Sequence, residues 1–243
     1  MTMNYLLSAC LLLCLSISCY GKPLLIGTSQ LNPPFEMMAT KPDHFYGFDI
    51  DMMLEICRRM NQECVFKTVM FNEIFPEIDQ GTLDLAIWSI IITSEREKNY
   101  SFSMPYLQSE VRFITLKDSP IDTPNDIAGK TVGIRFGSPF GDVAKDIYQN
   151  DIIIKQYPLV SDLIEGLNQK EIDAAILDNE AAEYWAANND ELYKLIGSKL
   201  PVGKGYGILA KLGQNELISE INKALLSMEE DGKYLEIYNR YFD

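Results

Sequence analysis

Short apolar segments alternate with amphipathic ones along almost the whole chain, and that alternation leaves few folds open. Runs suited to strands stand at 24–28, 65–69, 85–88 and 111–116, and again at 131–134, 152–156, 174–177 and 206–209. Between them apolar residues recur at helical spacing, as Met53, Ile56, Cys57 and Met60 do behind a cap at Asp49. A helix is expected at 72–80, with Pro76 at or near its first turn and Gly81 closing it. Others are expected at 94–98, 124–128, 140–148, 159–169, 180–187, 216–228 and 233–241. Repeated strand–helix units call for α/β layers with sheets covered on both faces. The pattern restarts after residue 116 with no low-complexity linker. Two α/β halves joined this way imply two lobes and a cleft, and such clefts are favoured ligand sites.

The 243 residues suffice for a core in each half. The formal net charge of −14 argues against a nucleic-acid partner, which needs a basic stripe, and against an anionic membrane surface. It does not choose the ligand, because cationic groups can be local. Residues 5–17 are almost wholly apolar, and no charge precedes Lys22. A membrane span needs roughly 20 apolar residues, so residues 1–21 read as a secretion signal, with the mature start near 19–22. Residues 1–4 carry no Lys or Arg, a poor start for a signal, and a buried N-terminal helix is the alternative. Ser16-Ile17-Ser18-Cys19 is a weak lipoprotein box, which makes a lipid anchor at Cys19 the lesser option. Cys10, Cys14 and Cys19 lie in or beside the signal, leaving Cys57 and Cys64. An even pair in an exported protein reads as a disulfide, and two buried free thiols are the other reading.

Gly47-Phe48-Asp49-Ile50-Asp51-Met52 resembles the signature of the family 3 extracellular solute-binding proteins, the periplasmic receptors of polar amino-acid ABC transporters. Further blocks follow in the family's order. Pro33-Pro34-Phe35-Glu36 resembles its first cleft loop, and Gly81-Thr82-Leu83-Asp84-Leu85-Ala86-Ile87 with Ile92-Thr93-Ser94-Glu95-Arg96 its core block. Phe102-Ser103-Met104-Pro105-Tyr106 resembles the end of its first crossing. Gly129-Lys130-Thr131-Val132-Gly133 and Gly137-Ser138 resemble the anion loop of its second lobe. The run 172–179 resembles its amine-binding strand end, and Asp231-Gly232-Lys233-Tyr234 with 238–242 its C-terminus.

The resemblance implies two Rossmann-like lobes joined by two crossover strands, the type II periplasmic-binding-protein arrangement. Lobe 1 is expected to comprise 22–107 and 206–243, and lobe 2 to comprise 108–205, with crossings near 108–110 and 203–206. Such lobes close about a hinge when ligand bridges them. The implied function is capture of a polar amino acid in the periplasm and delivery to an ABC permease in the inner membrane. A monomer is expected, without cofactor or metal. The spacing of Cys57 and Cys64 resembles that of the histidine and lysine/arginine/ornithine receptors, where the pair is bonded.

By the same resemblance Arg96 takes the ligand carboxylate, since a guanidinium forks onto a carboxylate. Without it, Arg96 between Glu95 and Glu97 reads as charged helix surface. Asp178 matches the residue that receives the ammonium, at a strand end of the kind that faces a cleft; it is also a ready helix cap. Gly137 and Ser138 precede a helix, whose positive end favours an anion. Phe48 and Trp88 are candidates to sandwich the ligand side chain, or plain core aromatics. Ser89 belongs to the expected ligand-binding set.

Several positions depart from the family pattern. Ser29 replaces the first-loop acid, Asn32 the usual aromatic, and Ile91 a hydroxyl or aspartate. Pro139 has no amide to donate, and Arg135 stands where a neutral residue or lysine is usual. Losing the acid at Ser29 argues against a basic ligand, and an inward Arg135 favours a neutral-polar or acidic one. Asp49, Glu36 or Glu180 can supply the missing carboxylate. Two rival classes share the fold: a cyclohexadienyl or arogenate dehydratase, and a ligand-sensing receptor subunit. The enzyme reading is disfavoured, because the only histidine, His44, lies in an expected loop and no nucleophile–base pair is visible.

Overall fold

The computed structural model describes residues 22–41 and 44–242. The expected signal at 1–21, with Cys10, Cys14 and Cys19, lies outside them. The chain opens with β1 (Leu24–Thr28) and a small antiparallel sheet of β2 (Leu31–Asn32), β3 (Glu36–Met38) and β4 (Phe45–Tyr46). Then come α1 (Phe48–Arg59), β5 (Cys64–Thr68), α2 (Phe71–Gln80), β6 (Leu85–Ala86) and β7 (Tyr100–Phe102). The middle of the chain holds β8 (Glu110–Leu116), β9 (Lys130–Arg135), α3 (Phe140–Tyr148), β10 (Ile152–Tyr157) and α4 (Val160–Asn168). It continues with β11 (Ala174–Asp178), α5 (Asn179–Asn188) and β12 (Tyr193–Pro201). The chain closes with β13 (Leu209–Lys211), α6 (Asn215–Glu230) and α7 (Lys233–Phe242).

Two five-stranded sheets result, ordered β5-β1-β6-β13-β7 and β10-β9-β11-β8-β12. In the first, β1 runs parallel to β5 and β6, and β13 runs antiparallel to β6 and β7. In the second, β9 runs parallel to β10 and β11, and β8 is antiparallel to β11 and β12. Each sheet anchors one lobe, and strands from both ends of the sequence build the first. The inner strands are buried along their length, as sheets covered on both faces require.

Local chemistry fixes α1. Gly47 adopts φ 130°, and a Cβ there would stand 2.3 Å from the Phe35 carbonyl oxygen, so only glycine fits the entry. Asp49 and Asp51 occupy the first turn and Arg58 and Arg59 the last, matching the helix dipole. Glu55 accepts from both arginines, and Arg59 reaches on to Ser227 and Asp231, tying α1 to α6. Cys57 and Cys64 are joined in a disulfide, with Cα atoms 6.2 Å apart.

Other expectations are corrected. The helix expected from residue 72 begins at Phe71, which places Pro76 in its second turn. The strand expected at 206–209 begins only at Leu209; Tyr206 instead bridges Ile91 and Leu107. β12 was hidden in sequence because lysines and a glycine interrupt its apolar pattern, and its pairing with β8 shifts between Ile196 and Leu200.

Two segments pass between the sheets, 103–109 and 202–208. They are laced together: Tyr206 N–H donates to Leu107 O at 2.9 Å, Tyr106 N–H donates to Tyr206 O at 2.9 Å, and Ser109 Oγ accepts from Gly205 N–H. Gly203 at φ 66° faces the Ile92 carbonyl so closely that a Cβ would sit 2.5 Å from its oxygen.

Candidate functional site

The strand ends of both sheets converge on one buried polar cluster. Thr28 and Ser29 close β1, Ser89 follows β6, Arg135 ends β9 and Asp178 ends β11. Asn32, Glu36 and Asp49 join them from the small sheet and α1. All are at most 2% exposed. Burying this many polar groups is costly unless something satisfies them.

Hydrogen bonds thread the cluster from one lobe to the other. Asn32 Nδ2 donates to Ser89 Oγ at 3.3 Å, and Ser89 Oγ donates to Asp178 Oδ2 at 3.1 Å. Tyr206 OH donates to Asp178 Oδ1 at 2.9 Å. The Ser89 amide and Tyr106 OH both donate to Asp49 Oδ2, at 2.8 and 3.0 Å. Ser89 holds φ 38°, a left-handed conformation that its three contacts sustain.

Several atoms are left over. Both Glu36 carboxylate oxygens, Asp49 Oδ1, Asn32 Oδ1, Thr28 Oγ1, Trp88 Nε1 and Arg135 Nε and Nη1 are buried without a hydrogen-bond partner. Burial pushes the Glu36 carboxyl well up and the Asp49 charge pushes it further, against the opposing pull of the Asn32 side chain and the Arg135 charge. Burial takes Asp49 up to about 7, and raises Asp178 against the pull of Arg135. Glu180, at the start of α5, also rises to about 7 by burial. Three of these acids, Glu36, Asp49 and Glu180, therefore keep buried oxygens without a hydrogen-bond partner, while both Asp178 oxygens are satisfied.

Arg96 lies at the mouth. It is half-buried, its Nη1 donates to Ile91 O at 2.7 Å, and its Nη2 crosses to Gly137 O at 3.1 Å. Its guanidinium stands 5.1 Å from the Phe75 ring. Burial, then the nearby Arg135 charge, lowers it to about 10. Arg96, Gly137, Ser138 and Pro139 line a groove of about 410 Å³. Glu95 and Asp142 line the same groove, so Arg96 is its one cation, set beside the start of α3 where an anion is favoured. A second hollow of about 690 Å³ lies against the crossing segments, lined by Tyr106, Ser109, Glu110, Pro201 and Gly203, and holds none of the cluster's charged groups.

Expected residues divide accordingly. Asp178 immediately precedes α5 but its side chain makes no capping bond; both oxygens serve the cluster instead. Arg135 points inward. Ser29 Oγ accepts only from the Leu31 amide, a local turn contact. Ile91 contributes its carbonyl rather than its side chain. Ser138 N–H and Oγ both donate to the Arg135 carbonyl, so they shape the loop. Phe48 is packed among Phe35, Tyr106, Tyr238, Tyr241 and Phe242, a core position rather than one presented to the cluster. Trp88 is buried edge-on to Phe71 at 5.2 Å. Phe71 carries no sequence signal for its place here; Tyr106 and Tyr206 fall in blocks expected at the crossings, but nothing in the sequence marks their hydroxyls as donors to Asp49 and Asp178. Each sits beside a helix start or a crossing segment, where only the tertiary path brings it in.

The family model described as bacterial extracellular solute-binding proteins, family 3, matches residues 24–243. The arginine-binding periplasmic protein of Mannheimia haemolytica is 31% identical over 215 residues, covering 86% of each chain. The lysine/arginine/ornithine-binding periplasmic protein of Escherichia coli is 31% identical over 230 residues, covering 90% of this chain and 86% of that one. Among solved structures, an arginine 3rd transport system periplasmic binding protein from Legionella pneumophila superposes with a TM-score of 0.86 at 43% identity. It covers 91% of this chain and 100% of its own. An ancestral arginine-binding protein bound to glutamine gives a TM-score of 0.84 at 31% identity, covering 90% of this chain and 97% of its own. These relatives are solute-binding proteins, not enzymes, and the dehydratase alternative is set aside. No helix among the described residues is long and apolar enough to cross a membrane.

Proposed function

Because the chain belongs to the bacterial extracellular solute-binding proteins, family 3, we propose that it is the periplasmic receptor of an amino-acid ABC importer and closes its lobes on a basic amino acid. Lobe 1 is 22–107 with 206–243, and lobe 2 is 108–205. Residues 1–21 direct export and are removed. The receptor works as a monomer and hands its ligand to an inner-membrane permease.

The observation that carries the ligand class is the set of buried, under-compensated carboxylates. Glu36 and Asp49 keep three oxygens unpaired, and Glu180 Oε2 is a fourth. A cationic side chain satisfies such oxygens; a neutral one leaves at least some of them uncompensated. These acids make good the one lost at Ser29. The arginine in the names of several relatives agrees with the same chemistry.

In this reading Asp178 accepts the ligand ammonium, held in orientation by Ser89 and Tyr206. Arg96 takes the carboxylate at the groove it shares with the Ser138 loop. Closure follows because these groups come from opposite lobes, so a bound ligand favours the state in which both reach it.

The inward Arg135 supports a second reading, a neutral side chain such as glutamine. Titration calorimetry of refolded, ligand-stripped protein with arginine, lysine, histidine, glutamine and glutamate separates the two. Arginine, lysine or histidine binding at least tenfold tighter than glutamine is the expected result, a gap of about 1.4 kcal/mol. Preference for glutamine or glutamate overturns the basic-ligand assignment.

A further inference from the structure

One residue of the second lobe reaches into the first and is given no ligand contact in the reading above. Arg135 ends β9, and its side chain is 2% exposed. Its guanidinium carbon stands 4.2 Å from the Phe71 ring centroid and 5.3 Å from that of Trp88. Both rings belong to the first sheet's side of the molecule, Phe71 at the start of α2 and Trp88 just past β6. Phe140, on its own lobe, lies 5.7 Å away.

The polar side of this guanidinium is poorly served. Nε and Nη1 have no acceptor. Nη1 is 3.8 Å from Asp178 Oδ2, within ion-pair range and too far for a hydrogen bond. Asp178 already accepts from Ser89 and Tyr206, so it has no cause to move closer. The rings hold the group while its donors go wanting. A cation over aromatic faces gains attraction, more so when desolvated, and buried unpaired donors cost free energy. A group bound by one half of its chemistry and short of the other is replaceable by a similar group that satisfies both.

We infer that Phe71 and Trp88 form a guanidinium subsite which Arg135 fills from within the chain, making Arg135 a specificity-determining residue. A ligand whose side chain ends in a guanidinium reaches the shelf only by exchanging with Arg135. A ligand with a neutral side chain leaves Arg135 in place. The subsite stands on the geometry alone; the exchange rests on the amino-acid-receptor reading above. Arg135 also spans the lobes, so the same exchange swaps an internal tie between them for one made through the ligand.

The test separates these parts. Thermal melts of ligand-stripped wild type and Arg135→Ala are taken with methylguanidinium at about 10 mM, where a bound ligand raises Tm. Methylammonium at the same concentration is the control. Methylguanidinium is expected to raise the Tm of Arg135→Ala and not that of the wild type, with methylammonium inert on both. No rise in Arg135→Ala, or an equal rise in both proteins, overturns the subsite. Arg135→Met keeps apolar packing beside the rings but loses the charge that holds Arg135 over them, so a guanidinium displaces it more readily, and it guards against a folding failure of the alanine variant. Its ratio of arginine to glutamine affinity is expected to exceed that of the wild type by about tenfold or more. An unchanged ratio, or one shifted toward glutamine, overturns the exchange. If no amino acid binds any form while methylguanidinium still stabilises Arg135→Ala, the subsite stands and the basic-amino-acid reading falls.

Discussion

Replacing Asp49 with asparagine should reverse part of the pH dependence of folding. Asp49 is fully buried, and burial takes its carboxyl from the ordinary 3.8 to about 7; the Asp178 charge adds to this, and the bonds from Ser89 and Tyr106 oppose it. The folded state therefore holds this proton more tightly than the unfolded chain does. The contribution is most favourable below about pH 4 and is lost as pH rises through about 7, the opposite of a salt-bridged carboxylate. A gap of about three units, at about 1.4 kcal/mol each, caps the effect near 4 kcal/mol. Roughly 2–3 kcal/mol of it falls between about pH 5 and pH 8. Glu36 and Glu180 are raised too, so wild-type stability alone cannot isolate Asp49. Asp49→Asn can, because its amide oxygen can keep the two donors that Oδ2 now accepts, and the NH2 it sets in place of Oδ1 does not titrate and cancels between the two pH values. Urea unfolding of ligand-stripped protein at both pH values gives the difference between variant and wild type. The variant should gain about 2–3 kcal/mol relative to wild type on going from about pH 5 to pH 8. Parallel curves would refute the claim that an uncompensated charge sits at Asp49.

Three further outcomes are expected. Arg96→Ala should weaken ligand binding by more than about 2 kcal/mol, roughly thirtyfold, in calorimetry, since it strands the carboxylate; an unchanged affinity removes Arg96 from the site. Cys64→Ser opens the short loop from Cys57 and should cost about 2–3 kcal/mol in urea unfolding; no loss under oxidising conditions would mean the bond does not constrain the chain. Gly203→Ala places a Cβ against the Ile92 carbonyl at φ 66° and should cost about 1–3 kcal/mol, whereas an equally stable variant would show that the crossing relaxes freely.

The lobes were legible in sequence because buried strands and amphipathic helices leave distinct periods. The helix Phe140–Tyr148 and the strand ending at Asp178 fall where their patterns put them. The antiparallel β12 did not, since a half-exposed strand with Lys194, Gly197 and Lys199 has no clean period. Within the site, Asp178 and Arg96 were read from a resemblance, and Arg135 was noticed because it departs from one. Glu36 was named only as a reserve carboxylate, and Phe71 not at all. Their importance depends on which face of a three-residue strand or a helix start meets the opposite lobe, and pairing across a cleft leaves no trace in local spacing.

The place of β13 has a consequence for how the chain is completed during its synthesis. All five strands of the second sheet lie between Glu110 and Pro201, so that sheet can assemble as soon as one continuous stretch has emerged. The first sheet cannot, because β13 lies between β6 and β7 and comes from the far end of the chain. Until residues 209–211 arrive, β6 and β7 have no common neighbour, and the edges meant for β13 stay open to other chains. The lobe that is made first is thus the last to finish. A chaperone or a protease meeting the nascent protein finds its vulnerable surface near the N-terminus, while the middle of the molecule is already closed.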